Sequence, residues 1–104
     1  MIISQRTVTQ NAVDSDQVGA DLVEHEGRLH LLFLDQETGS IYHTQSSEAG
    51  VWSAAEPVVE GIRGQWVRGQ LVTKPDGRVV YGFVYDASSD GGSGMNRYGE
   101  VDLG

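Results

Sequence analysis

A short pattern occurs twice in this chain. Leu22-Val23, Gly27-Arg28-Leu29, Phe33 and Asp35 return 49 to 51 residues later as Leu71-Val72, Gly77-Arg78-Val79, Phe83 and Asp86. Self-similarity at such a period means that one supersecondary unit is built twice. A unit too thin to bury its own apolar face must bury it on a neighbour. A length of 104 residues leaves room for two such units in a single domain, residues 1–104, with repeat 1 over about 17–58 and repeat 2 over about 66–104.

Both copies read as strands. Arg28 to Asp35 is RLHLLFLD and Arg78 to Asp86 is RVVYGFVYD, short runs rich in β-branched, aromatic and leucine residues. They are apolar at successive as well as alternate positions, so both faces of each strand are expected to be covered. His25-Glu26-Gly27-Arg28 has the chemistry of a tight hairpin. In Lys74-Pro75-Asp76-Gly77 proline presets φ, and glycine takes the left-handed position. These punctuators predict strands near 2–9, 18–25, 28–35, 40–46, 51–58, 66–73, 78–86 and 96–103. The hairpin register sets His25 opposite Arg28 and His30 opposite Val23. The next hairpin brings His43 near Leu32, so the three histidines share one sheet face.

An all-β period of roughly 50 residues matches the four-stranded blade of a β-propeller. Gly27 to Val58 resembles one blade of the sialidase-like, Asp-box propellers, in which a Ser-x-Asp-x-Gly-x-x-Trp turn joins the third and fourth strands. The equivalent here is Ser46-Ser47-Glu48-Ala49-Gly50-Val51-Trp52. It departs by a glutamate in place of the aspartate and by one residue fewer before the tryptophan, and the second copy has no such box. The resemblance implies two four-stranded propeller-like blades per chain. Two blades do not close a propeller, so closure falls to heterologous contacts between identical chains in a ring. A trimer is the expected homo-oligomer, by likeness to small two-bladed fucose-binding propeller lectins. Residues 1–9 are expected to supply the strand that the second blade lacks. A β-sandwich or small barrel is the alternative architecture on strand count alone.

Fifteen acidic against seven basic residues give a formal charge of −8, and Lys74 is the only lysine. Phosphate binding needs clustered Lys and Arg, so a nucleic-acid partner is excluded. There is no cysteine for a disulfide, a thiolate metal site or a thiol nucleophile. No apolar run reaches the ~18 residues of a membrane span, and the N-terminus lacks a signal-peptide core. The expectation is therefore cytoplasmic synthesis or leaderless release. Enzyme signatures are missing too. Met95 stands where a nucleophile elbow built on Gly91-Gly92-Ser93-Gly94 needs its last glycine, and neither a phosphate loop nor a His-Glu-x-x-His helix occurs. No catalytic residue, cofactor or resident metal is expected.

The aromatic residues point elsewhere. An aromatic ring stacked on the C–H face of a sugar, with guanidinium and carboxylate groups for the hydroxyls, makes a carbohydrate site. Trp66 and Arg68, two residues apart and so on one strand face, lead that set, joined by Trp52, Tyr85 and Glu100. The competing reading packs both tryptophans between sheets. For His25, His30 and His43, hydrogen-bonded, partly buried histidines outweigh an open zinc site. The polar run from Asp86 to Asn96 reads as a hairpin loop in preference to a calcium loop. A non-enzymatic, lectin-like carbohydrate-binding oligomer is the leading functional expectation. The alternatives are a protein-interaction or assembly module and a glycosidase-like enzyme with a site between subunits.

Overall fold

The computed structural model describes residues 17–47, 50–88 and 95–103. Seven strands form in chain order: β1 (Gln17–His25), β2 (Arg28–Asp35), β3 (Ser40–Gln45), β4 (Glu56–Glu60), β5 (Val67–Thr73), β6 (Val79–Asp86) and β7 (Asn96–Asp102). They make two antiparallel meanders, β1-β2-β3-β4 and β5-β6-β7. The two copies of the repeat thus become two sheets, and the chain is all-β. The second sheet has three strands among the described residues. The strand expected over 2–9 lies outside them.

Local chemistry accounts for the hairpins. Glu26 and Gly27 both take positive φ, 52° and 78°, the pair that a two-residue turn matched to strand twist requires. That turn sets His25 opposite Arg28, Val23 opposite His30 and Asp21 opposite Leu32. In the second copy the Lys74 N–H donates to the Arg78 carbonyl at 2.7 Å, and Gly77 takes φ 89°. The longer turn leaves Thr73 opposite Val79.

The fourth strand departs from expectation, running over Glu56–Glu60 in place of 51–58. Before it, a single bridge joins Ser46 and Trp52. Side chains hold this stretch off the ladder: the Thr44 hydroxyl donates to the Ser53 carbonyl at 2.6 Å, and Ser53 Oγ accepts the Gln45 N–H at 3.1 Å. Serine and threonine compete in this way with regular pairing. Pro57 can join β4 because β4 is an edge strand with a register shift beside it.

The two aspartates of the repeat do the same work in both sheets. Asp35 Oδ1 accepts the N–H groups of Glu37 and Thr38 at 2.9 and 3.2 Å. Asp86 Oδ1 accepts the Ser88 N–H at 3.1 Å, and its Oδ2 accepts the Gln65 N–H at 3.3 Å. Each caps the turn that leaves the second strand of its sheet, which accounts for their recurrence.

The core lies between the sheets. Leu32, Leu34 and Ile41 of the first sheet meet Val67, Tyr81, Phe83 and Tyr85 of the second, with Ile62 from the connecting segment. Each such side chain contributes on the order of 1.5–3 kcal/mol when fully buried. Glycine makes room for Phe83: a Cβ at Gly99 would stand 2.6 Å from its ring. The sheets meet mainly through β1 and β5, and beside them Tyr81 of β6 donates its hydroxyl hydrogen to Asp21 of β1 at 2.5 Å.

Candidate carbohydrate site on the second sheet

Because side chains alternate along a strand, the face of the second sheet turned away from the core carries Trp66, Arg68, Gln70 and Val72 from the β5 side. Pairing sets Arg68 opposite Val84 and Gln70 opposite Gly82 on β6, and Tyr98 of β7 opposite Val84. Together they enclose an open groove of about 340 Å³. Gly82 is its floor. A Cβ there would lie 2.5 Å from the Tyr98 hydroxyl and 3.0 Å from Val72, so the absent side chain is what creates the space.

Tyr98 is held in position. Its hydroxyl donates to Glu100 Oε2 at 2.9 Å, and Lys74 Nζ donates to the same oxygen at 2.7 Å. The Lys74 ammonium, followed by the Tyr98 hydroxyl, keeps the Glu100 carboxyl below its ordinary range, while the Glu100 carboxylate keeps Lys74 and Tyr98 above theirs. Glu100 is thus a positioning group for one wall of the groove. The chemistry on offer is two aromatic surfaces, a guanidinium, a carboxamide and an apolar floor.

Of the residues singled out in the sequence, Trp66 and Arg68 line this groove together, and Glu100 reaches it through Tyr98. Trp52 does not; it is half-buried on the first sheet opposite Ser46. Tyr85 points into the core, 8% exposed, its ring 5.6 Å from that of Phe83. Gln70, Gly82, Val84 and Tyr98 escaped sequence reasoning. The signal for Tyr98 was present, since a third strand over 96–103 paired to β6 puts Tyr98 and Glu100 on one face.

The three histidines do share a face, in the expected register. His30 Nδ1 and His43 Nε2 are 3.1 Å apart, with ring planes 7° from parallel. Burial first, then the charges of His43, His25 and Arg28, push His30 down to about 4; burial also lowers His43. Among the described residues no group of three or more His, Asp or Glu is placed to hold a metal ion. Likewise, no helix is long and apolar enough to cross a membrane.

In comparisons with known proteins, no family model, no curated protein and no solved structure matches this chain.

Proposed function

We propose that this chain is a non-enzymatic carbohydrate-binding protein that takes a sugar ring in the groove over Gly82. The observation that carries the reading is the make-up of that groove: Trp66 and Tyr98 supply apolar ring faces, Arg68 and Gln70 supply donors, and Gly82 leaves the space between them. Small-ligand sites have this composition, a largely apolar concavity with a few convergent polar groups. Tryptophan fluorescence, titrated with a panel of neutral monosaccharides at millimolar concentration, tests it. A saturable change in the parent protein that is lost in Trp66→Ala supports the reading; no saturable change with any sugar overturns it.

A second reading, an assembly module, is favoured by the way the repeat places its faces. The Leu71 and Phe83 face of the second sheet covers the first sheet, whereas the matching Leu22 and Phe33 face of the first sheet points away from the core. Leu22 on that outer face is 54% exposed, and Val84 on the outer face of the second sheet is 40% exposed. Sheets stacked in the same sense continue head to tail, and such contacts close into rings, three chains making six blades. A second copy seated over Gly82 would compete with a sugar. The two readings therefore differ in whether dilution raises or leaves unchanged the apparent sugar affinity.

A further inference from the structure

The two sheets end on edges of different character. β4, the last strand of the first sheet, carries the features that keep an edge from pairing with another chain. Pro57 lacks a donor, the register shifts beside Tyr42, and Glu56 and Glu60 are exposed without an ion pair among the described residues. β7, the last strand of the second sheet, has neither a proline nor a shift, and Asn96–Asp102 pairs with β6 in one unbroken register. Its two carboxylates are neutralised from the β5–β6 hairpin: Lys74 Nζ donates to Glu100 at 2.7 Å, and Arg78 donates to Asp102 at 3.0 Å. Arg97, near the start of the strand, is its one charge without an ion pair among the described residues.

Hydrogen bonds flanking the ladder fix which way the β7 backbone points. The Ala87 N–H donates to the Met95 carbonyl at 2.6 Å, and the Leu103 N–H donates to the Val79 carbonyl at 3.1 Å. Odd-numbered residues of β7 therefore bond β6, because bonded and unbonded positions alternate along an antiparallel strand. The N–H and C=O groups of Asn96, Tyr98 and Glu100 point away from the sheet and have no partner among the described residues. All three residues are exposed.

We propose that β7 is a docking edge for a second copy of this chain, the two β7 strands pairing antiparallel about a two-fold axis. Charge and alternation choose the register. Outward-pointing groups must face one another, which sets even-numbered residues opposite even-numbered ones. Centring the pair on Glu100 opposes like charges, and centring it on Tyr98 leaves Val101 and Asp102 beyond the overlap. Centring it on Gly99 engages the whole strand. Tyr98 of each copy then faces Glu100 of the other, and Arg97 faces Val101, its aliphatic stem lying along that side chain. The two Lys74–Glu100 ion pairs flank the axis with no net charge. Because the axis stands perpendicular to the sheet, both copies turn the groove over Gly82 to the same side, three strand spacings or about 14 Å apart. On the carbohydrate reading of that groove, the pair is bivalent toward neighbouring sugars on one surface. The edge pairing itself does not depend on that reading.

The test is amide-resolved hydrogen exchange on the full chain over a concentration series, with native mass measured by light scattering on the same samples. A contact confined to one strand from each copy lies at the small end of protein interfaces, below roughly 1,200 Å², so the pairing is expected to be reversible. The mass of the dilute species should double as concentration rises, and the Tyr98 and Glu100 amides should slow several-fold in step with it. The Gly99 and Val101 amides, bonded to β6, should be protected throughout. Doubling that leaves Tyr98 and Glu100 unprotected overturns the proposal, because association would then run through the sheet faces. Protection of these amides in a species that never doubles overturns it as well, since the edge would be taken within the chain. A mass that stays constant while both amides exchange freely does the same. Glu100→Pro deletes one outward N–H and leaves the β6 ladder intact. It is expected to hold the dilute mass at every concentration, and a folded variant that doubles like the parent overturns the proposal. The exchange measurement on the parent decides the matter if the variant does not fold. No sugar enters these readouts, so failure of the groove and failure of the edge are distinguishable.

Discussion

Tyr81 and Asp21 join the sheets through one hydrogen bond buried beside the core. Burial first, then the bond to Asp21, pushes the Tyr81 phenol far above its ordinary range. Tyr81→Phe removes the donor and leaves the carboxylate half-buried without it, which should lower unfolding stability by about 1–3 kcal/mol in urea titration. His30 predicts a pH effect of definite sign. Its folded-state pKa is about 4, below the 6.5 of an unperturbed histidine, so the unfolded chain takes up a proton that the folded one refuses. The contribution is complete above pH 6.5 and declines as pH falls from 6.5 toward 4, at about 1.4 kcal/mol per unit of separation. The urea midpoint should therefore drop between pH 7 and pH 5, and His30→Gln should flatten that drop. An equally steep decline in the variant would assign it to other groups.

The same two-strand unit is used twice, but the two sheets differ at the middle of their second strand. At the offset of the repeat, Leu32 in β2 corresponds to Gly82 in β6. Leu32 is fully buried between the sheets, whereas Gly82 lies on the outer face, where the groove forms. Gly82→Ala puts a methyl against the Tyr98 hydroxyl and Val72. Tyr98 is exposed and can turn outward at the cost of its hydrogen bond to Glu100, so the fold should survive with a small loss of stability. Sugar affinity should fall several-fold, as calorimetry on the parent and variant would show. Undiminished affinity would place the sugar elsewhere. Two registers were legible from the turns, His25 opposite Arg28 in β1–β2 and His43 opposite Leu32 in β2–β3, the first because a two-residue turn with glycine at positive φ leaves one pairing. The start of β4 was not. The hydroxyls of Thr44 and Ser53 delay it, and hydrogen bonds of that kind leave no periodic trace in a sequence.

Across the whole molecule, one sheet face buries the core and the opposite faces carry Leu22, Leu29, Val84 and Tyr98 in contact with solvent. If these faces associate, light scattering on a size-exclusion column should give a stable multiple of 11.3 kDa, three above all, at every concentration. Leu22→Asp together with Val84→Asp should return the mass to that of one chain. A single-chain mass for the parent at all concentrations removes the assembly reading and leaves the groove open to solvent.

The sequence by itself determined the two-fold repeat, the strand content, the hairpin registers and the sharing of one face by the three histidines. These are local properties, written in turn residues and in side-chain alternation. Alternation assigns Trp66 and Arg68 to one face and Tyr85 to the other. It does not say which face meets the neighbouring sheet. That choice is made by the docking of β5 on β1, which turns Tyr81, Phe83 and Tyr85 inward and leaves Trp66, Arg68 and Tyr98 to line a groove. A pocket of about 410 Å³ lined by Val59, Ile62, Tyr85 and Arg97 likewise exists only once the sheets are together. Contacts between residues so far apart in the chain depend on how whole sheets pack, and no local pattern encodes them.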